Sequence, residues 1–360
     1  MPELDTLFSC PPFSLSAGEK EKLLLPLFLE LTEHHRRACP AYDSMLSALG
    51  YDPRACDQLS ALPFLPVGLF KRLALSSASE EVTKTFTSSG TTGQNLSKVV
   101  IDAETAALQR QALASIAGDV LGPKRLPMLI VDTPDVLRPP LASTARGAGV
   151  LGFAVCASRR VFALRQDMSL DTEAIAQFLE ERSGAPFFLF GFTFMVWKHF
   201  YEEFLKLPFR FDCSSGIMIH GGGWKKLASE AVSRQRFHDG LFEVCNLSRI
   251  YDYYGMAEQT GSVFLECEEG HLHCSNFSQV FVRRASDYSR CGNGEEGILQ
   301  VLSVLPRSYP GHSLLTEDRG LLLGEDDCPC GRKGRYFSVT GRLPDAELRG
   351  CSDVYGSAFG

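Results

Sequence analysis

Residues 85–98 read Thr85-Phe86-Thr87-Ser88-Ser89-Gly90-Thr91-Thr92-Gly93-Gln94-Asn95-Leu96-Ser97-Lys98, the most informative stretch of the chain. Glycine lets backbone N–H groups turn inward and hydroxyl groups add donors, so the segment can hold the oxygens of a polyphosphate. A Walker A loop is excluded because that motif opens a helix, whereas this loop joins two predicted strands. We therefore predict a phosphate-binding loop, with a Ser/Thr-rich surface turn as the alternative.

Four shorter motifs follow the loop along the chain. They are Gly221-Gly222-Gly223, Tyr253-Tyr254-Gly255-Met256-Ala257-Glu258, Leu315-Thr316-Glu317-Asp318 and Gly341-Arg342-Leu343-Pro344-Asp345. In this order they resemble the signatures of the adenylate-forming superfamily of acyl-CoA synthetases, luciferases and nonribosomal adenylation domains. The resemblance implies an α/β fold with mainly parallel sheets flanked by helices and a small β-rich region.

The resemblance also implies a role for individual residues. Lys98 lies near the phosphates of ATP, Glu258 helps to hold Mg²⁺, and Asp318 binds the ribose hydroxyls. The implied ATP-binding residues are Thr87, Ser88, Ser89, Gly90, Thr91, Thr92, Gly93, Gly221, Gly222, Gly223, Tyr254, Gly255, Asp318 and Arg342.

Two positions depart from the family pattern. Ala257 stands where the family has Thr, which removes a hydroxyl contact to the α-phosphate. Glu317 stands where the family has Gly, which weakens the match to the ribose motif. These departures leave room for a non-catalytic, nucleotide-binding subunit of a reductase as an alternative function.

The C-terminal region indicates which group within the superfamily the chain resembles. Superfamily members usually add a small domain with an adenylation lysine, for which residues 346–360 leave no space. The acyl-protein synthetases of the bacterial luminescence fatty-acid reductase system are similar in this respect and use a cysteine near the C-terminus as the acyl acceptor. Cys351 stands in that place. We expect an adenylate-forming domain over 1–340, and a hinge remnant and tail over 341–360.

Chain length permits Cys351 to act as the acceptor. The six residues after Asp345 span roughly 20 Å when extended, enough to visit an acyl-adenylate and then a partner's active site. Arg349 favours the nucleophilic thiolate. The alternative is an inert thiol on a frayed tail.

Two clusters of cysteine and histidine predict a zinc site. The first reads Cys267-Glu268-Glu269-Gly270-His271-Leu272-His273-Cys274 and the second Cys328-Pro329-Cys330-Gly331. Thiolates and imidazole suit tetrahedral Zn²⁺, and similar clusters occur in relatives that resemble phenylacetate-CoA ligases. The preferred ligands are Cys267, His273, Cys328 and Cys330, with free thiols as the alternative.

Composition restricts the classes of partner. The 360 residues carry a formal net charge of −7 without a run of Lys and Arg, so we expect no nucleic-acid partner. The N-terminus lacks the pattern of a secretory signal, and the apolar stretch 187–197 is too short to span a bilayer. We therefore expect a cytoplasmic protein whose cysteines are thiols, metal ligands or nucleophiles.

Periodicity gives a coarse map of the elements. Helical patterns cover 16–49, 103–117, 169–182 and 225–237, and Ser16 with Glu19 predicts a capping box. Strands are predicted at 82–87, 98–102, 128–132, 187–190 and 216–220, and then at 262–266, 279–283, 298–304 and 320–323. His34 and His35 lie on a helix of mixed polarity and are expected to be solvated.

The resulting prediction is a two-step reaction. A carboxylic acid, expected to be fatty, attacks ATP to give acyl-AMP, and the acyl group then moves to Cys351 as a thioester. The resemblance implies delivery to an acyl reductase and adds an acyltransferase as a further partner. The second alternative is a phenylacetate-type ligase that uses free CoA as the acceptor.

Overall fold

The computed structural model describes residues 2–78, 84–87, 97–224 and 230–343, and the chain divides into two units. The first unit holds the described residues up to 116 and those from 255 onward. The second unit holds residues 117–254, except 225–229, which lie outside the described residues. The phosphate-loop residues Ser88–Gly93 and the tail with Cys351 also lie outside the described residues.

Three helices begin the first unit. They are α1 (Pro2–Ser9), α2 (Ala17–Ala38) and α3 (Pro40–Ala48). The predicted capping box is confirmed, because the side chains of Ser16 and Glu19 each accept from the other residue's backbone N–H. The prediction of one helical stretch over 16–49 is wrong at Cys39, which is extended at φ −127° and ψ 97°. Proline disfavours the helical conformation in the residue before it, so Pro40 separates α2 from α3.

The N-terminal segment is tied to residues far along the sequence. The Asp326 carboxylate accepts hydrogen bonds from the backbone N–H groups of Ala17 (3.0 Å) and Gly334 (2.7 Å). Asn276 accepts from the N–H of Leu15 and donates to the carbonyl of Pro11. Asp326 thereby gives a partner to the first N–H of α2, which has none within the helix, and Asn276 holds the segment before it.

The elements around the glycine-rich sequence form a hairpin followed by a helix. Strands β2 (Lys84–Thr87) and β3 (Lys98–Ile101) pair antiparallel, with Thr87 opposite Lys98. Helix α4 (Ala103–Leu121) follows, and the short strand β1 (Leu65–Pro66) precedes the hairpin. The two predicted strands and the helix after the loop are therefore confirmed.

The second unit contains a five-stranded parallel sheet in the order β5-β4-β6-β7-β8. Every residue of β6 and β7 is buried, as expected for interior strands covered on both faces. The strands are β4 (Leu126–Val131), β5 (Ala157–Phe162), β6 (Phe187–Phe192), β7 (Gly216–Gly221) and β8 (Arg249–Tyr254).

Helices connect the strands of this parallel sheet. The helix predicted over 225–237 is wrong at 231–233 and confirmed from Arg234, and its residues 225–229 lie outside the described residues. The N-cap of α9 is Ser233, whose hydroxyl accepts from the N–H of Arg236. The helices are α5 (Ala145–Phe153), α6 (Thr172–Glu180), α7 (Thr193–Val196), which continues through a π-helical turn (Trp197–Tyr201) into α8 (Glu202–Phe204), and α9 (Arg234–Cys245).

The later strands of the first unit confirm the predicted β-rich region. They follow the order β11-β12-β13-β14-β10-β9, in which neighbours pair antiparallel, and β1 adds to β13 in parallel. The predicted strand 320–323 is part of the longer β13. The strands are β9 (Phe264–Glu266), β10 (Leu272–His273), β11 (Ser278–Arg283), β12 (Glu296–Ser303), β13 (Ser313–Glu325) and β14 (Arg335–Arg342).

The parallel strands with their helices and the antiparallel strands confirm the predicted α/β class. The domain boundary after residue 340 stays a prediction, and β14 continues to Arg342. Among the helices in the described part of the chain, none is long and apolar enough to cross a membrane.

Candidate functional site

The triple glycine Gly221–Gly223 ends β7 in the second unit. Gly222 and Gly223 have φ angles of +84° and +62°, a region that glycine adopts without strain. A Cβ on Gly221 would lie 2.5 Å from the ring of Tyr253, and one on Gly222 would lie 2.5 Å from the ring of Phe192. The backbone can therefore make this turn, close against two aromatic rings, only with glycine.

A buried histidine fixes the strand end before these glycines. The Thr193 hydroxyl donates to the carbonyl of Gly221 (3.1 Å) and lies 3.0 Å from Nδ1 of His220. Since that hydroxyl has one hydrogen, Nδ1 of His220 donates to it. Burial lowers the pKa of His220 to about 3, so the imidazole is neutral.

Tyr253 and Tyr254 end β8 in the same unit. The Tyr253 ring packs against the rings of Phe153 (5.0 Å between centroids) and Phe190 (6.4 Å, stacked). Tyr254, one of the implied ATP-binding residues, is half-buried. The apolar stretch 187–197 is entirely buried and supplies much of this aromatic core.

Glu258 lies in the first unit on the 3₁₀ turn Ala257–Gln259 and is only 3% exposed. Its neighbour Gln259 anchors the turn by donating from Nε2 to the carbonyls of Gly311 (2.7 Å) and Val301 (3.1 Å). The chain thus holds a carboxylate in a nearly dry position, and carboxylate oxygens are the hard ligands that Mg²⁺ prefers.

The predicted ribose and hinge residues meet across β13 and β14. Asp318 lies opposite Arg342 in the strand register, and its Oδ1 is 3.1 Å from Nε of Arg342. Glu317 Oε2 is 3.1 Å from Nη2 of the same guanidinium. The residue that departs from the family pattern therefore forms a second ion pair with Arg342.

A buried loop between β12 and β13 braces both flanks of the glycine-rich sequence. Residues 304–312 are all buried except Arg307, although loops usually run over the surface. The Ser308 carbonyl accepts from the N–H of Ser77 (2.7 Å), and the Ser308 hydroxyl donates to the carbonyl of Val100 (2.9 Å). Thr105, in the first turn of α4, accepts from the N–H of Ser308 (3.1 Å).

Sequence reasoning missed this brace and the histidines beside it. The prediction that His35 is solvated is wrong: it is fully buried, with Nδ1 2.9 Å from the Ser77 hydroxyl and Nε2 3.1 Å from the carbonyl of Pro306. Its ring stacks on His312 at 5.0 Å. A buried proline-rich loop with Ser and His gives no periodic signal that separates it from a surface turn.

The structure brings the four preferred zinc ligands together. Cys267, His273, Cys328 and Cys330 each offer one ligand atom, and these atoms lie within 4.8 Å of one another. Burial raises the pKa of the three thiols and lowers the pKa of His273 to about 3. His271 adds its Nδ1 at 3.4 Å from Sγ of Cys328.

The remaining predicted residues are placed as follows. Lys98 is exposed on β3, opposite Thr87, and Gly255 begins the second stretch of the first unit. Glu258, Asp318 and Arg342 belong to the first unit, whereas Gly221–Gly223 and Tyr254 belong to the second.

Comparison with known proteins identifies relatives over the whole chain. The family model described as acyl-protein synthetase, LuxE, matches residues 2–360. A long-chain-fatty-acid–luciferin-component ligase of Vibrio harveyi is 24% identical over 374 residues, covering 99% of this chain and 93% of that protein. A ligase of the same name from Photorhabdus luminescens is 32% identical over 90 residues, covering 25% of this chain and 77% of that protein.

Solved structures share the fold. A 2-hydroxyisobutyryl-CoA ligase in an open conformation, in complex with 2-HIB-AMP and CoA, matches with a TM-score of 0.66 at 17% identity. The match covers 94% of this chain and 78% of that one. A long-chain-fatty-acid-CoA ligase from Archaeoglobus fulgidus matches with a TM-score of 0.50 at 15% identity, over 74% of this chain and 52% of that one.

Proposed function

The chain belongs to the LuxE family of acyl-protein synthetases, and from that membership we propose that it activates a long-chain fatty acid with ATP and then carries the acyl group on Cys351. The family match over residues 2–360 is the observation that carries this proposal. The chain length named for the Vibrio harveyi relative supports a long-chain acid as substrate.

The first half-reaction forms acyl-AMP. A carboxylate oxygen of the acid bonds to the α-phosphorus of ATP, and the bond to the leaving pyrophosphate breaks. Mg²⁺, when bound, offsets charge on the phosphates, and Glu258 is the residue proposed to hold it. Lys98 and the segment Thr87–Gly93 add charge and donors for the same oxygens.

Asp318 and Arg342 are the residues proposed for the ribose of ATP. Asp318 accepts from the ribose hydroxyls, and Arg342 holds Asp318 in place through the 3.1 Å ion pair. Gly221–Gly223 and Tyr254 are proposed on the adenine side, as the resemblance to the adenylate-forming superfamily implies.

The second half-reaction moves the acyl group to the protein. The Cys351 thiolate attacks the carbonyl carbon of acyl-AMP, the bond to the AMP oxygen breaks, and a thioester forms. An acyl reductase is the proposed recipient, and an acyltransferase that releases the free acid is the proposed source. ATP, Mg²⁺ and these partners imply a cytoplasmic location, and a structural Zn²⁺ takes no part in either half-reaction.

Ser308 is proposed as a positioning residue for ATP. It contacts Ser77 before the glycine-rich sequence and Val100 after it, so one residue fixes the separation of the two flanks. A glycine-rich segment has many backbone states, and holding its ends reduces the number that it can adopt.

One experiment separates the two half-reactions. Acid-dependent ATP–pyrophosphate exchange is measured for wild type, Cys351→Ala and the matched control Cys10→Ala, together with retention of labelled acid after denaturation. We expect all three to exchange, and only Cys351→Ala to lose the label that neutral hydroxylamine releases. If wild type shows no exchange, the protein binds nucleotide without activating the acid. If acyl-CoA forms in the presence of CoA and no protein is labelled, the protein is a CoA ligase.

A further inference from the structure

A cluster of four side chains in the first unit has the composition of a metal site. Cys267 follows β9, His273 ends β10, and Cys328 and Cys330 lie in the turn between β13 and β14. Three separate segments of chain therefore contribute ligands to one place. All four side chains are buried except Cys330, which is half-buried, so water has little access.

The spacing of the ligand atoms fits a tetrahedral ion. Two sulfurs about 2.3 Å from a tetrahedral zinc are separated by about 3.8 Å, and a sulfur and a nitrogen by about 3.5 Å. The Sγ atoms of Cys267 and Cys328 are 3.9 Å apart. Sγ of Cys330 is 3.4 Å from Nε2 of His273. Both distances therefore match those of a tetrahedral zinc site without movement of the backbone.

Two turns of the same geometry present the cysteines. Cys267 and Cys328 each begin a four-residue turn that ends in glycine, and the N–H of Gly270 and of Gly331 donates back to the cysteine carbonyl at 3.0 Å. Both glycines have positive φ, +79° and +85°. Two unrelated segments thus form the same tight turn and aim a thiol at a common point.

The surroundings complement the charge of a filled site. Three thiolates and one Zn²⁺ sum to −1. Arg332 donates to the carbonyls of Leu265 and Glu266, directly before Cys267. The fully buried Lys20 donates to the carbonyl of Cys274, next to His273. A buried ammonium is costly without nearby negative charge, and the filled cluster would add to the charge of the nearby Asp326 and Glu325 carboxylates.

We propose that Cys267, His273, Cys328 and Cys330 bind one Zn²⁺ as a closed structural site. Binding replaces the three thiol protons, which pass to solvent, while Nε2 of His273 donates its lone pair. A mixed sulfur and nitrogen set with four filled positions favours Zn²⁺ over Mg²⁺ or Ca²⁺, which take oxygen ligands. His271 then lies outside the ligand set and donates from Nδ1 to Sγ of Cys328.

The position in the hairpin shows what the metal stabilises. Glu325 pairs with Arg335 beside the metal turn, and Asp318 pairs with Arg342 at the other end of β13 and β14. Seven residues of antiparallel strand separate the two ends by about 24 Å. The ion therefore closes the turn of the hairpin and is too distant to contact a nucleotide at Asp318.

The test measures metal rather than activity, so its result is independent of the proposed reaction. Protein purified in reducing buffer without chelator is analysed for zinc, and cobalt is then substituted for its spectrum. We expect about one zinc per chain in wild type, with tetrahedral cobalt–thiolate absorption after exchange. Cys328→Ser and His273→Ala should lose the metal, whereas His271→Ala and the buried control Cys291→Ser should retain it.

Three outcomes would overturn the proposal. Wild type that binds no zinc even when supplied with it would leave the cluster as free thiols. Zinc that persists in Cys328→Ser and His273→Ala would lie elsewhere in the chain. If the variants do not fold, the cobalt spectrum of wild type decides, because a spectrum without thiolate bands would exclude cysteine ligation. Alkylation before reduction identifies a Cys267–Cys328 disulfide, which would also refute the site.

Discussion

Replacing Ser308 with Ala should weaken the use of ATP without affecting the acid. The change removes the hydroxyl that donates to Val100 at 2.9 Å and leaves the backbone contacts to Ser77 and Thr105 intact. The flank after the glycine-rich sequence thereby loses one of its two hydrogen bonds to Ser308, while the buried loop keeps its other connections.

The structure sets the size of the expected effect. A neutral buried hydrogen bond contributes about 0.5–1.5 kcal/mol, and about 1.4 kcal/mol corresponds to a tenfold change in an equilibrium constant. If the lost hydrogen bond weakens ATP binding by that free energy, KM for ATP rises roughly two- to tenfold. The free energy of unfolding should fall by about 1 kcal/mol, because the Val100 carbonyl loses a donor.

Ser303→Ala is the matched control. Ser303 is also fully buried near the same loop, and its hydroxyl accepts from the N–H of Leu305 at 3.3 Å, away from the glycine-rich flanks. Initial rates of acid-dependent pyrophosphate exchange give KM for ATP and for the acid, and urea denaturation gives stability. We expect similar losses of stability in both variants and a raised KM for ATP only in Ser308→Ala.

Two results would refute this reasoning. An unchanged KM for ATP in Ser308→Ala would show that the hydroxyl does not position the nucleotide. An equal rise in KM for ATP in Ser303→Ala would show that any weakening of the loop has the same effect, so that Ser308 has no special role.

Further predictions concern the carboxylate proposed to hold Mg²⁺, the dependence of stability on low pH, and a buried ion pair. Glu258→Gln should reduce acid-dependent pyrophosphate release by at least about tenfold, because Mg²⁺ loses a charged ligand, and an unchanged rate would remove Glu258 from the metal site. Burial lowers the pKa of His312 to about 3, so only the unfolded chain takes up this proton as the pH falls below about 6.5. The contribution of His312 to stability should therefore be constant above about pH 7 and be lost towards pH 3, and His312→Gln should flatten the fall in stability over that range in urea titrations. Arg146→Met should cost about 3–5 kcal/mol, because it strands Asp132, whose side chain is 2% exposed, whereas Arg138→Met on the surface should cost less than about 1 kcal/mol. If chemical denaturation shows equal losses of unfolding free energy for Arg146→Met and Arg138→Met, the larger stabilisation assigned to the buried Arg146–Asp132 pair is wrong.

The sequence allowed the elements with a strong local signal to be predicted. Strands β6 and β7 are apolar runs because both of their faces are covered, and the capping box at Ser16 is a local pattern that the tertiary structure leaves unchanged. The four zinc candidates were recognisable because cysteine and histidine recur at short spacing. That these ligand atoms converge follows from pairing between distant strands.

Other features depend on contacts that local patterns do not encode. Residues 231–233 belong to a stretch of helical composition, yet α9 begins only after its N-cap Ser233. Ser308 and His35 look like ordinary surface residues in the sequence, and their role arises from partners more than 200 positions away. Long-range hydrogen bonding decided these cases, and hydrophobic periodicity carries no information about it.

The hydrogen bonds of the Asp326 carboxylate to the start of α2 have a consequence for synthesis on the ribosome. The residues that they join are 309 positions apart. At about 5–20 residues per second, the N-cap region waits roughly 15–60 s after its own synthesis before its partner is made. The first helices to emerge must remain without their final contacts through most of translation. Slowing elongation late in the message should therefore lengthen the exposure of the N-terminal segment to chaperones and proteases.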